Sequence, residues 1–286
     1  MEMNGIELQF IVEDRANPEK PHIWPEHGLA ILIKAKIDKE TINILFDTGT
    51  SGKALLHNAR EMNLDLRKVD VIVLSHGHYD HTGGLLDALK AVGKPTAIIV
   101  HPDALEMKFA TKPKFRFTGI PYTISDVEGN GGKILVSKNP VSIAENIIVT
   151  GEIERTTEYE KTPDYYMIAK NGEISRDKML DDQALIIDHG DKGLVVVTGC
   201  AHAGIINTVK HAKKITGRDK IYAVTGGFHL INASDERIEK TIRSLRELGP
   251  EVIAPCHCTG DNALKKMKKA FEGRFIEINA GSILKL

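Results

Sequence analysis

Three histidines and an aspartate fall within six residues at Ser75-His76-Gly77-His78-Tyr79-Asp80-His81, directly after the apolar run Val71 to Leu74. Imidazole and carboxylate together suit Zn²⁺, Mn²⁺ or Fe²⁺. A helix would spread positions 76, 78, 80 and 81 around its axis, whereas a loop can fold them toward one point. The cluster therefore reads as a metal-binding turn between a strand and a helix. The competing reading is a surface histidine cluster, or a helix N-terminus with Asp80 near the cap. Further histidines weigh against it, because they also follow apolar runs: Thr198-Gly199-Cys200-Ala201-His202, Thr225-Gly226-Gly227-Phe228-His229 and Pro255-Cys256-His257-Cys258.

The elements that must position these residues are legible from apolar patterning. Gly28 to Lys36 and Thr41 to Phe46 read as strands joined by a charged turn. A helix over Ser51 to Met62, a buried strand over Asp70 to Leu74, a helix over His81 to Val92 and a strand over Thr96 to Val100 follow. Residues from about 103 to 180 mix Lys, Pro, Gly, Glu and Tyr with short apolar runs. They read as an inserted cap over the site, with one strand at Val141 to Thr150. Ala184 to Asp188 and Gly193 to Thr198 read as a hairpin. Helices from about Gly204 to Thr216, Ser234 to Leu248 and Asn262 to Phe271 alternate with strands at Ile221 to Val224, Val252 to Pro255 and Phe275 to Ile278. Two halves of this kind predict an α/β protein of mixed α+β type: two sheets face to face with helices outside, in one domain of 286 residues.

Composition narrows the function classes. With 38 basic and 39 acidic side chains the formal net charge is −1, which argues against binding nucleic acid or a membrane surface by bulk attraction. Three cysteines are too few and too odd for a disulfide framework, so a cytoplasmic location is expected. The stretch Met1 to Phe10 lacks the pattern of a secretory signal, and no apolar run approaches the roughly 20 residues of a spanning helix.

The segment His76-x-His78-x-Asp80-His81 resembles the metal-binding motif of the metallo-β-lactamase superfamily, and the rest of the chain agrees in order. Leu45-Phe46-Asp47-Thr48-Gly49 is similar to the family's first motif, and His202 and His257 stand where its later ligand histidines follow strands. The resemblance implies a four-layer αβ/βα sandwich with the metal site at one edge between the sheets. It implies one divalent ion on His76, His78 and His202 and another on Asp80, His81 and His257. Zinc is the first expectation, with Mn, Fe or Mg as alternatives. Asp47 would hold loop backbone or a histidine N–H. The chain departs from the pattern at one point: no bridging aspartate follows the strand Ile221 to Val224. His229 is the natural candidate for its place, as ligand or as acid/base. The cysteines beside the ligand histidines, Cys200, Cys256 and Cys258, read first as small buried residues, with thiolate ligation as the other possibility.

Two other likenesses fall away. Phe46-Asp47-Thr48-Gly49-Thr50-Ser51-Gly52 is similar to an aspartic-protease strand, but that chemistry needs two such carboxylates. Diiron relatives carry glutamate where this chain has His78. Within the superfamily the motif set resembles the methanopterin-pathway synthases. These join a hydroxymethyl-dihydropterin diphosphate to 4-(β-D-ribofuranosyl)aminobenzene 5′-phosphate with loss of pyrophosphate. The alternative is a metal-dependent hydrolase of a phosphodiester, cyclic phosphate, thioester or lactone, with a metal-bound hydroxide as nucleophile. Either activity implies a small anionic substrate, with a pterin ring in the first. Catalytic candidates are Asp80, His229 and Asp47. Substrate candidates are Lys112, Lys114 and Arg116, which interleave with aromatic residues, together with Arg155 and Gln183. Tyr159, Tyr165 and Tyr166 could stack on a ring or pack the cap. His22, His27, His57, His189 and His211 read as ordinary surface or packing residues, with His101 at the rim.

Overall fold

The computed structural model describes residues 3–286; Met1 and Glu2, at the head of the N-terminal stretch, lie outside the described residues. In the first half an antiparallel meander of β1 (Met3–Val12), β2 (Ala30–Ile37) and β3 (Glu40–Phe46) leads into helix α1 (Gly52–Glu61) and β4 (Val71–Val73). Helices α2 (Tyr79–Thr82) and α3 (Leu85–Val92) then lead to β5 (Thr96–Val100). The middle of the chain holds β6 (Met107–Ala110), β7 (Arg116–Phe117), α4 (Ile124–Gly129), β8 (Gly132–Val136), β9 (Val141–Ala144), β10 (Ile147–Val149), β11 (Tyr166–Lys170) and β12 (Glu173–Arg176). The second half runs β13 (Ala184–Asp188), β14 (Leu194–Thr198), α5 (Ile205–Thr216), β15 (Ile221–Gly227), α6 (Asp235–Leu248), β16 (Val252–Cys256), α7 (Asp261–Ala270) and β17 (Ile283–Lys285).

These strands form a seven-stranded sheet in the order β17-β1-β2-β3-β4-β5-β8 and a six-stranded sheet in the order β16-β15-β14-β13-β10-β9. Side-chain alternation divides the core. Leu185, Ile187, Val195 and Val197 pack with Phe10, Ile31, Ile33 and Phe46 between the sheets. The intervening Ala184, Ile186, Leu194 and Val196 turn the other way, onto α5, α6 and α7. Leu32, Leu45 and Ile72 likewise turn outward onto α1, α3 and α4. Period-two alternation on buried strands thus yields four layers, helix–sheet–sheet–helix.

Three readings shift, and one strand is new. The N-terminal strand β1, not placed from the sequence, lies inside its sheet between β17 and β2, with Ile6, Leu8 and Phe10 alternating into the core against Gly5, Glu7 and Gln9. The expected helix from His81 to Val92 is two helices, parted at Gly83 and Gly84. There the backbone presses on the Asp47 loop: a Cβ at Gly83 would lie 2.0 Å from the Thr50 carbonyl oxygen, and one at Gly84 2.2 Å from that of Thr48. Phe275 to Ile278 makes only a single bridge, Ile253 to Phe275, and β17 is the last strand instead. Residues 103–180 do not form one inserted body: β8 extends the first sheet, β9 and β10 form a hairpin in the second, and β6, β7, β11 and β12 make a separate four-stranded sheet. Among the described residues no helix is long and apolar enough to cross a membrane.

Candidate metal centre and its cleft

The residues of the opening cluster leave the end of β4 as a loop and enter α2. His76, Asp80 and His81 are buried together, as are His78, His202 and His257. Strand ends deliver the distant members. β14 ends at Thr198, just before Cys200 and His202; β15 ends at Gly227, before His229; β16 ends at Cys256, before His257. The rings of His76, His78 and His202 meet edge to face, with centroids 4.7 to 5.0 Å apart.

Asp47 anchors the loop. It sits in the left-handed region with φ 58°, fully buried. Its Oδ1 accepts the Ser75 backbone N–H at 2.7 Å, and its Oδ2 accepts both the Ser75 hydroxyl and His81 Nδ1, each at 2.7 Å. These contacts settle the tautomers. The Ser75 hydroxyl donates to Asp47, so it accepts from His76 Nδ1 at 2.9 Å, and the His76 Nε2 lone pair faces His78 Nδ1 at 3.1 Å. His81 Nδ1 donates to Asp47 and His257 Nδ1 donates to Asp14 at 2.6 Å. Their Nε2 atoms lie 3.2 Å apart, so with both rings neutral two lone pairs would face each other unless a proton or a metal ion stands between them. His78 Nε2 and both nitrogens of His202 are buried with no partner.

This donor set fits a divalent cation. Two nitrogens on one tetrahedral Zn²⁺ stand about 3.3 Å apart, given Zn–N bonds of about 2.0–2.1 Å. Burial drives the His76 and His202 pKa values well down, helped by the neighbouring histidines, and burial lowers that of His78 to about 3. All three are neutral imidazoles at pH 7, the form that ligates. Burial works to raise the Asp80 pKa, but His81, His257 and His78 outweigh it and hold it low.

A cleft of about 410 Å³ opens above these rings. Lys112 and Arg116 line it, with Tyr165, Tyr166 and His229. Tyr166 packs against the His78 and His202 rings at 5.1 and 5.4 Å, and the His229 ring lies 4.1 Å from that of His202. Lys114 is not among the lining residues. Arg155 turns inward: it donates to the Thr162 hydroxyl and to the Met179 carbonyl, so it props the loop behind the site. Gln183 is buried and donates to the Leu74 carbonyl at 2.9 Å, tying β13 to the end of β4. Neither Arg155 nor Gln183 is among the cleft-lining residues.

Several site residues carry no motif. His27, read from sequence as a surface residue, lies at the cleft mouth 2.9 Å from Asp14 and 3.4 Å from Asp80. Asp14 and Glu13 reach the site from the end of β1, Glu13 by accepting the His257 backbone N–H at 2.8 Å. Asp181 accepts the Gly77 N–H at 2.8 Å and pairs with the buried Lys108 at 2.9 Å. The adjacent pair Asp181-Asp182 before a strand was the available signal for that last contact.

A model of the metallo-beta-lactamase superfamily matches residues 23–165. The chain belongs to this superfamily. It is 38% identical, over 99% of its length and 97% of the relative's, to the 7,8-dihydropterin-6-methyl-4-(beta-D-ribofuranosyl)-aminobenzene-5'-phosphate synthase of Methanocaldococcus jannaschii. It is 33% identical to an uncharacterized protein of the same organism, over 97% of this chain and 99% of that one. Among solved structures it resembles a metal-dependent hydrolase of the β-lactamase superfamily, with 31% identity, a TM-score of 0.81 and 98% of each chain covered.

Proposed function

We propose that this superfamily member is a metal-dependent synthase. In this reading it joins a hydroxymethyl-dihydropterin diphosphate to 4-(β-D-ribofuranosyl)aminobenzene 5′-phosphate, which yields a product of the kind that the M. jannaschii relative's name gives. The observation that carries metal dependence is the convergence of buried imidazole nitrogens at ligand spacing, with both nitrogens of His202 unpartnered. The similarity along nearly the whole chain supports the choice of substrates. In this reading His76, His78 and His202 hold one ion, and Asp80, His81 and His257 hold another. The bound cations would supply positive charge to the departing pyrophosphate oxygens.

The protein's own residues supply the rest. The amine nitrogen forms a bond to the pterin methylene carbon while the carbon–oxygen bond to pyrophosphate breaks, and the amine loses one proton. His229 lines the cleft wall, its ring 4.1 Å from that of His202, and in this reading accepts that proton. Lys112 and Arg116 face the same space and can hold the ribose phosphate. Tyr165 and Tyr166 offer faces for the rings. The test is to incubate metal-loaded protein with both substrates and follow the coupled product by mass spectrometry and the released pyrophosphate by a coupled assay.

The solved metal-dependent hydrolase with TM-score 0.81 favours a second reading, metal-dependent hydrolysis, of which a phosphodiester is one candidate substrate. If the protein cleaves bis(p-nitrophenyl) phosphate in water but never joins the two substrates, the synthase reading fails and this one stands.

A further inference from the structure

Resting on the metal-site reading above, we propose that Cys200 supplies, as a thiolate, the ligand that bridges the two metal positions. It would take the place of the aspartate that β15 lacks. Its Sγ groups with one nitrogen each of His76 and His202, all within 4.8 Å of one another. The same Sγ groups in the same way with His81 and His257, and lies 3.2 Å from His81 Nε2. Among the described residues, Cys200 alone belongs to both groups. The two unpartnered nitrogens of the buried His202 mark this side of the pocket as built for a ligand.

The end of β15 has no room for the missing carboxylate. A Cβ on Gly226 would lie 2.0 Å from the Thr198 carbonyl oxygen, and Gly226 has a φ of +105°. A Cβ on Gly227 would lie 2.4 Å from the Gly199 carbonyl oxygen and 2.7 Å from Cys258 Sγ. The chain thus closes the usual place of a bridging ligand and presents sulfur from the neighbouring strand end. Ligation removes the thiol proton, which leaves to bulk buffer as the metal binds. A soft sulfur ligand also narrows the choice of ion, toward zinc or ferrous iron and away from magnesium.

Cobalt(II) reports thiolate ligation directly through a sulfur-to-metal charge-transfer band in the near ultraviolet. Metal-free protein, titrated with Co²⁺, should bind two equivalents and develop this band. In Cys200→Ala and Cys200→Ser the band should vanish and the second equivalent should bind about tenfold or more weakly. Cys258→Ala should keep the band, since Cys258 groups with Cys200 and His229 but with neither histidine pair of the two metal positions. Circular dichroism of each metal-free variant checks that the fold is retained, and serine keeps the size of the side chain. A band that persists in Cys200→Ala, or is lost only in Cys258→Ala, overturns the bridge while leaving the metal site standing. Wild-type protein that takes up no cobalt overturns the metal-site reading itself.

Discussion

His81 Nε2 and His257 Nε2 face each other at 3.2 Å while a carboxylate fixes the far side of each ring, Asp47 on His81 and Asp14 on His257. Two lone pairs at that distance need a positive charge between them, either a proton or a metal ion. Without a metal, burial opposes charge on His257, but Cys258, Asp14 and Asp80 prevail and raise its pKa to about 10. Metal uptake should therefore displace a proton, and affinity should climb as pH rises from 7 toward 10. Isothermal titration in buffers of different ionisation enthalpy measures the proton release. An uptake that releases no proton would contradict this account of the pair.

Removing the metal should also cost stability. An ion present at a hundredfold its dissociation constant adds about 2.7 kcal/mol to the folded state. The urea midpoint should fall on chelation and return when Zn²⁺ is restored.

The metal-free protein should be acid-sensitive in a defined window. His76, His78 and His202 have folded pKa values below the usual 6.5, because burial penalises their charged forms. The unfolded chain then binds more protons below pH 6.5, and stability falls as pH falls. Each histidine contributes up to about 1.4 kcal/mol per pH unit. For His78 the loss continues to about pH 3. His257 adds no slope here, because its raised pKa leaves it charged in both states below 6.5. Urea melts at pH 7, 6 and 5 should show the midpoint dropping at each step; a flat profile would mean that these rings are not buried neutral.

Much of this site was legible because its ligands follow strands with clear apolar patterning, so that residue type and position in the chain pointed the same way. His27 and Asp14 were not legible. They arrive where the chain between β1 and β2 passes over the cleft, and no local spacing encodes that path. Arg155 and Gln183 looked like substrate residues because an Arg or Gln beside a strand end can reach a ligand. In the fold, the carbonyls of Met179 and Leu74 take up their donors. β1, by contrast, carries a legible signal, because Ile6, Leu8 and Phe10 alternate with Gly5, Glu7 and Gln9 and face the core.

Asp47 tests how far positioning alone controls the metal. Three donors converge on its two oxygens, so Asp47→Asn must turn an NH₂ group toward either the Ser75 backbone N–H or the pair formed by the Ser75 hydroxyl and His81. The loop then loses one grip without losing volume. Metal affinity should fall about 10- to 100-fold while the overall fold survives. Competition against a chromophoric chelator gives the number, and an unchanged affinity would show that Asp47 only fills space.

Arg116 and Arg155 separate binding from support. Arg116 faces the cleft, with its guanidinium also donating to the Lys112 carbonyl at 2.5 Å, and its charge is available to a phosphate. Arg116→Ala should raise KM for the phosphate substrate about tenfold, a loss of about 1.4 kcal/mol of binding, and change kcat little. Arg155→Ala should act differently, because its guanidinium holds Thr162 and Met179 beside the loop that carries Asp181 and Asp182. Its loss leaves the buried Met179 carbonyl only the long 3.4 Å hydrogen bond from the Asp182 N–H, which costs about 0.5–1.5 kcal/mol of stability. Steady-state kinetics and urea melts on both variants decide the matter. A KM effect confined to Arg155→Ala would reverse the two assignments and place the phosphate on the other side of the cleft.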